Sequence, residues 1–225
     1  MGSPVRPRQL ALALDHAESF AREDFIAGAS NAAALALIER WPDWPDRVMV
    51  LVGPEGSGKS HLASIWAAAS GARFLAARSL TQTDLAAAFA TGALVVEDLS
   101  PAGLDERALF HLLNLAREEG AYMLLTARSA PGGWTVGIRD LGSRLRALPV
   151  VAMAPPDDVL LRALIVKLAA DRQLAVDAGL VSYLVNRIER SFAAARAAVV
   201  RLDQEAMRQQ RPVTRALAAE LFREA

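Results

Sequence analysis

An eight-residue stretch in the first third of the chain combines glycines, a lysine and a serine at a spacing suited to holding phosphate groups. Its sequence, GPEGSGKS, fits the pattern G-x-x-x-x-G-K-[ST] without a mismatch. Glycines let backbone N–H groups turn inward around phosphate oxygens, and a helix start adds partial positive charge. The lysine can reach the β- and γ-phosphates, and the last serine can ligate Mg²⁺. The stretch therefore predicts a phosphate-binding loop formed by Gly53, Pro54, Glu55, Gly56, Ser57, Gly58, Lys59 and Ser60.

The residues on either side of this loop have the pattern that such a loop requires. The apolar run at 48–52 predicts a buried strand, and the residues from His61 onward open a helix. The alternative is a strand–helix turn that happens to carry three glycines. Because strand, loop and helix follow one another in the required order, the sequence favours binding of a nucleoside diphosphate or triphosphate.

A second apolar run, at 93–98, ends in Glu97 and Asp98. Two carboxylates at the end of a buried strand can serve a magnesium–nucleotide site, one through the water shell of the metal and one by orienting an attacking water. A solvated strand end before a turn is the alternative. The phosphate-binding loop upstream favours the functional interpretation.

Strands and helices alternate in the first two-thirds of the chain, which indicates a parallel sheet covered on both faces. Ser30 or Asn31 is expected to cap the first helix. After residue 154 only helical periodicity remains. We predict an α/β fold with a five-stranded parallel sheet and a C-terminal all-helical lid, divided into a tail at 1–19, a nucleotide-binding core at 20–154 and a lid at 155–225.

Composition excludes several classes of protein. The 225 residues carry a formal charge of zero, so no general preference for nucleic acid or anionic membranes is expected. The absence of cysteine excludes disulfides and thiol chemistry, and it suits a cytoplasmic protein. No apolar run approaches the roughly 18 residues that a membrane span needs.

The stretch QLALAL at 9–14 has the pattern of a short docking peptide. In an extended chain Leu10, Leu12 and Leu14 point to one side, and Gln9 offers an amide at the end. Such a peptide can bind in an apolar groove of a partner. The alternative is an edge strand, or an apolar tail folded onto its own domain.

The order of these features resembles the AAA+ ATPases, in particular the DnaA-related branch and, within it, the Hda-type regulators of replication initiation. The resemblance covers nearly the whole chain. Beside the loop, the stretch at 9–14 is similar to the sliding-clamp-binding peptide of those regulators. The remaining stretches that carry it are DFIAGASN at 24–31, GSRL at 142–145 and LDQ at 202–204, downstream of Arg196.

The resemblance implies ATP or ADP with Mg²⁺ as the bound cofactors. It implies that Phe25 and Ile26 lie near the base and that Arg196 takes the place of the sensor II arginine. Ser60 and Glu97 would hold the metal.

The other implied roles concern hydrolysis. Asp98 takes the place of the water-orienting acid, Thr126 lies at the sensor I strand end, and Arg144 matches the arginine finger. The family usually has Asp and then Glu, so the shorter Asp98 implies weak intrinsic hydrolysis. The family also often has an acid where this chain has Arg128, for which we expect only a solvated charge.

A regulator of this kind would dock through 9–14 on the DNA sliding clamp, the β subunit of DNA polymerase III. It would then present Arg144 to the ATP site of the initiator DnaA, stimulate hydrolysis there and restrain re-initiation. The sequence ends after the lid without the helix-turn-helix domain of the initiator, which favours the regulator and predicts no sequence-specific DNA binding. A homodimer stays open. The alternatives are a self-sufficient AAA+ ATPase such as a helicase or clamp loader, a small-molecule kinase, and a structural binding module.

Overall fold

A computed structural model describes residues 20–223, apart from the side chain of Ala86. The docking stretch predicted at 9–14 lies outside the described residues.

One parallel sheet forms the centre of the molecule. Its strands have the order β2-β3-β4-β1-β5, and every neighbouring pair is parallel. The predicted fold class is therefore confirmed, and the predicted strand at 48–52 has the bounds of β1. The five strands are β1 (Val48–Val52), β2 (Arg73–Ala76), β3 (Ala93–Leu99), β4 (Tyr122–Ala127) and β5 (Val150–Ala152).

Helices cover both faces of the sheet because its strands are apolar on both sides. On β3, Leu94 and Val96 pack with α4 and α5, whereas Ala93 and Val95 pack with α1 and α2. The helices of this part are α1 (Ala32–Glu39), α2 (Lys59–Ser70), α3 (Leu85–Ala88), α4 (Glu106–Glu118) and α5 (Arg139–Ala147).

The remaining helices share a hydrophobic cluster of their own, which includes Leu161, Leu184 and Leu202. Each begins after a polar residue whose side chain accepts a hydrogen bond from a backbone N–H three residues on. The domain boundary near residue 154 stays a prediction. Within residues 20–223, no helix has the length and apolar character needed to cross a membrane. These helices are α6 (Asp158–Asp171), α7 (Ala178–Val185), α8 (Phe192–Gln209) and α9 (Arg215–Leu221).

Asn31 stands at the N-cap position of α1, but its side chain does not cap the helix as expected. Its Oδ1 accepts a hydrogen bond from the N–H of Gly28 at 2.8 Å, and its Nδ2 donates to the carbonyl of Ile26 at 3.0 Å. The buried amide thus holds the preceding turn together. The turn matters because it carries two of the predicted site residues.

Candidate functional site

A cavity of about 820 Å³ lies between the sheet-bearing part and the lid helices. Its volume falls within the roughly 300–1,000 Å³ typical of small-molecule sites. It brings together most of the predicted site residues from four separate parts of the chain. The predicted residues that line it are Phe25, Ile26, Glu55, Gly56, Ser57, Gly58, Lys59, Ser60, Asp98 and Arg196.

The phosphate-binding loop is packed so closely that two of its glycines cannot carry a side chain. A Cβ on Gly53 would lie 2.8 Å from the carbonyl oxygen of Met153 and from Ser57 Oγ. Gly56 has a φ of +68°, and a Cβ there would lie 2.9 Å from Ser191 Cβ on the lid side. Both positions therefore require glycine.

Lys59 is only 8% exposed, and its side chain bonds to the backbone of its own loop. Its Nζ donates hydrogen bonds of 2.8 Å to the carbonyls of Gly53 and Pro54, although neither residue lines the cavity. Burial lowers the pKa of the ammonium, and the charge of Arg128 lowers it further, while Asp98 and Glu55 oppose the shift. Lys59 thus brings positive charge to the floor of the cavity, where the first turn of α2 also begins.

A bulge in β3 turns Asp98 towards the cavity. The register with β4 shifts between Val96 and Leu99, and Asp98 has a φ of +59°. Its backbone N–H donates to Thr126 Oγ1 at 3.0 Å. Thr126 itself is 1% exposed and does not line the cavity, so it supports the backbone of Asp98.

Glu97 lies next to the cavity without lining it. Its Oε1 is buried and has no hydrogen-bond partner among residues 20–223. A buried carboxylate oxygen is costly without a donor or a cation, so this atom fits a magnesium-associated role. No cluster of three or more His, Asp or Glu side chains that could hold a metal occurs in the described part of the chain. A metal would therefore need oxygen ligands from a bound phosphate as well.

Apolar side chains line the cavity next to the phosphate-binding loop, where a Cβ on Gly58 would lie 3.6 Å from the Phe25 ring. Phe25 is buried in the core beside the sheet, and Ile26 packs against the lid cluster. The ring of His61 lies edge-on to Phe25 at 5.2 Å and to Phe20 at 5.4 Å. No local sequence pattern indicates a role for His61 or Phe20.

The lid contacts the loop directly through the start of α8. The backbone N–H of Phe192 donates to the carbonyl of Gly56 at 2.8 Å. Ser191 caps the helix by accepting a hydrogen bond from Ala194. One turn further on, half-buried Arg196 lines the cavity between the buried Ala195 and Val199. The first turn of α8 therefore covers the loop.

Further charged residues line the cavity, among them Arg128, expected to be only a solvated charge, and Lys167, for which the sequence indicated no role. Arg128 Nη2 pairs with Glu55 Oε2 at 2.6 Å, at the rim of the cavity. Lys167 Nζ donates to Asp24 at 2.6 Å and to Asp171 at 2.8 Å, which joins α6 to the segment before α1. These hydrogen bonds, first the one donated to Asp171 and then the one donated to Asp24, raise the pKa of Lys167.

Arg144 lies away from the cavity. It is half-buried on α5, with its Cζ 5.0 Å from the centre of the Phe110 ring on α4. It forms no ion pair with Asp140 or with any other carboxylate of residues 20–223. The neighbouring Arg146 is exposed and donates to Ser143 Oγ at 3.2 Å.

Comparison with solved structures identifies the fold. Domain III of the Thermotoga maritima replication initiation protein DnaA aligns with a TM-score of 0.73 and 17% identity, covering 91% of this chain and 95% of that chain. AMPPCP-bound DnaA from Aquifex aeolicus gives 0.67 and 16%, covering 84% and 68%. The Thermotoga maritima RuvB Holliday junction branch migration motor gives 0.70 and 18%, covering 90% and 70%.

No protein-family model and no curated protein matches the sequence. Identities below 20% show the fold and leave the activity to be argued from the site. The chain has the fold of domain III of DnaA, which RuvB shares.

Proposed function

We propose that the cavity binds ADP or ATP together with Mg²⁺. The observation that carries this proposal is the closed phosphate-binding loop, with buried Lys59 beneath it and α8 above it. Backbone N–H groups of the loop would hold the phosphates, and Phe25 and Ile26 would meet the base. A similar protein, DnaA from Aquifex aeolicus, was solved with AMPPCP bound, which supports a nucleotide as the ligand.

Ser60 and Glu97 would hold Mg²⁺, which neutralises phosphate charge when it is bound. Asp98 would take the place of the water-orienting acid. Its side chain is one methylene shorter than that of glutamate, and its position depends on a bulge. We therefore propose weak intrinsic hydrolysis, with Arg196 of the lid contacting the nucleotide.

Arg144 would act in the site of another molecule. Its guanidinium is outside its own cavity and is held over an aromatic ring without a carboxylate partner in residues 20–223. An arginine presented in this way can stabilise negative charge in the ATP site of a neighbouring subunit. We propose that the neighbour is the initiator DnaA and that the chain stimulates ATP hydrolysis there, as the resemblance to Hda-type regulators implies.

Docking on the DNA sliding clamp would depend on Gln9, Leu10, Leu12 and Leu14. An extended peptide of this pattern can bind in an apolar groove, with the leucines on one side. The clamp would bring the chain close to DnaA on DNA. Hydrolysis of ATP by DnaA would then restrain re-initiation of replication.

The test combines ATP-loaded DnaA, the clamp loaded on DNA and the purified chain, and measures release of phosphate from DnaA. We expect stimulation by the native chain and its loss when Gln9, Leu10 and Leu12 are all replaced by alanine, with an unchanged melting temperature. No stimulation by the native chain would contradict the regulatory role. Turnover by the isolated chain on the order of one per second or faster would favour the self-sufficient ATPase.

A further inference from the structure

Arg128 is placed beside the phosphate-binding loop by the pairing of two neighbouring strands. Ala127, the last residue of β4, pairs with Val52, and its carbonyl accepts a hydrogen bond from the N–H of Gly53 at 3.1 Å. The next residue along the chain, Arg128, therefore leaves the sheet where the loop begins. Its side chain lines the cavity.

The partner of Arg128 belongs to the loop itself. Its Nη2 lies 2.6 Å from Glu55 Oε2, and the two side chains are 72% and 76% exposed. Ion pairs as exposed as this one contribute little to stability because water screens them. The pair therefore holds the guanidinium at the cavity rim. Because breaking the pair costs little free energy, the guanidinium can move to a stronger acceptor.

The pair lines the cavity beside the phosphate-binding loop, to which Glu55 belongs. The pKa of the Lys59 ammonium is lowered by the charge of Arg128 and raised by that of Glu55, so both groups act on the residue at the loop floor. Arg128 is thus a cation beside the part of the loop where the outer phosphates would lie.

Thr126, the polar residue near the end of β4, is not available to contact the outer phosphates. Thr126 is 1% exposed, and its hydroxyl accepts the hydrogen bond from the N–H of Asp98. Arg128 follows two residues later and has both the reach and the charge that Thr126 lacks.

We propose that Arg128 exchanges Glu55 for the terminal phosphate of a triphosphate and thereby makes the site prefer ATP over ADP. This inference rests on the proposed nucleotide site. A terminal phosphate carries more charge than a carboxylate and accepts two N–H groups of a guanidinium at once. A triphosphate would also repel Glu55, which favours the exchange. ADP, without the γ-phosphate, leaves Arg128 paired with Glu55.

Calorimetry with Mg²⁺-ADP and with the Mg²⁺ complex of the β,γ-methylene analogue of ATP tests this exchange. Arg128→Ala should lower the affinity for the analogue relative to ADP by about tenfold, the loss of one charge-assisted hydrogen bond. Arg211→Ala is the matched control, because Arg211 pairs with Glu220 on the lid, outside the cavity, with both side chains 45% exposed. The control should leave the ratio of affinities unchanged.

A second variant tests the competing partner. Glu55→Gln should raise the relative affinity for the analogue about threefold, since an exposed competing ion pair is removed. The gain should be smaller when Arg128 is already alanine. An unchanged ratio in Arg128→Ala, with both nucleotides still bound, would overturn the exchange and leave the nucleotide site standing. A native chain that binds neither nucleotide would overturn the proposed function itself.

Discussion

Lys59 and Arg144 are two cations with opposite surroundings. Lys59 is buried, is bonded to carbonyls of its own loop and faces a cavity within the chain. Arg144 is half-buried on α5, its charged end lies over the Phe110 ring, and it does not line that cavity. A cation of the first kind completes a site inside its own chain. A cation of the second kind is suited to completing a site in a neighbour, so the two proposed activities can be separated by mutation.

The largest expected effect is on the outward-facing cation. Arg144→Ala should remove nearly all stimulation of DnaA, since an arginine supplied in trans is worth roughly 10³–10⁵ in rate. Nucleotide binding and clamp binding should stay at native levels. Phosphate release from ATP-loaded DnaA measures the effect.

Arg146→Ala is the control for that experiment, because Arg146 is exposed and bonds only to Ser143 within residues 20–223. It should keep most of the stimulation. Native-level stimulation by Arg144→Ala would remove the basis for a trans-acting role.

The next largest effect is expected on stability, at the contact between the phosphate-binding loop and the start of α8. Gly56→Ala places a Cβ 2.9 Å from Ser191 at a φ of +68°, and it should lower the free energy of unfolding by about 1–3 kcal/mol. Gly71→Ala is the matched control, since its φ is +72° and a Cβ would meet no described atom within 4 Å. Thermal unfolding of both variants isolates the contact with the lid. Equal losses would mean that α8 does not press on the loop.

A smaller effect is expected at the aromatic support of Arg144. Phe110→Leu keeps an apolar side chain but removes the ring that attracts the guanidinium, an interaction worth about 0.5–1 kcal/mol at an exposed site. Stimulation of DnaA should fall by a few-fold, with nucleotide affinity unchanged. If stimulation stays at the native rate, the ring does not position Arg144.

The smallest effect should come from the contact between α6 and the segment before α1. Lys167→Met removes hydrogen bonds to Asp24 and Asp171 and should cost about 1 kcal/mol or less. Because the folded state raises the pKa of Lys167 above its ordinary value of 10.5, this stabilisation is fully present below pH 10.5. It is lost as the pH rises through the folded pKa. A difference from the native chain that varies between pH 6 and pH 9 would contradict this assignment.

Local patterns were sufficient to predict the parallel sheet. An apolar run before a glycine-rich loop is compatible with few structures other than a buried strand. Strand β1 accordingly has the bounds that this pattern predicts. The loop was predicted from its residue spacing, because binding of phosphate groups requires glycines, a lysine and a serine at these positions. Its phosphate-binding role stays a prediction.

Contacts between distant residues could not be predicted from local patterns. Arg128 and Glu55 are 73 residues apart, and Lys167 and Asp24 are 143 apart, so only the folded chain brings them together. Asn31 has the sequence signature of a cap, yet its amide bonds to the turn before it.

We propose above all that the cavity above Lys59 binds adenine nucleotide. Titration of Mg²⁺-ADP into the native chain and into Lys59→Ala, followed by calorimetry, tests it most directly. We predict saturable binding by the native chain and at least about a tenfold loss of affinity in the variant, because a charge-assisted hydrogen bond to phosphate is removed. Equal affinity of the two proteins, or no binding by the native chain, would contradict the claim.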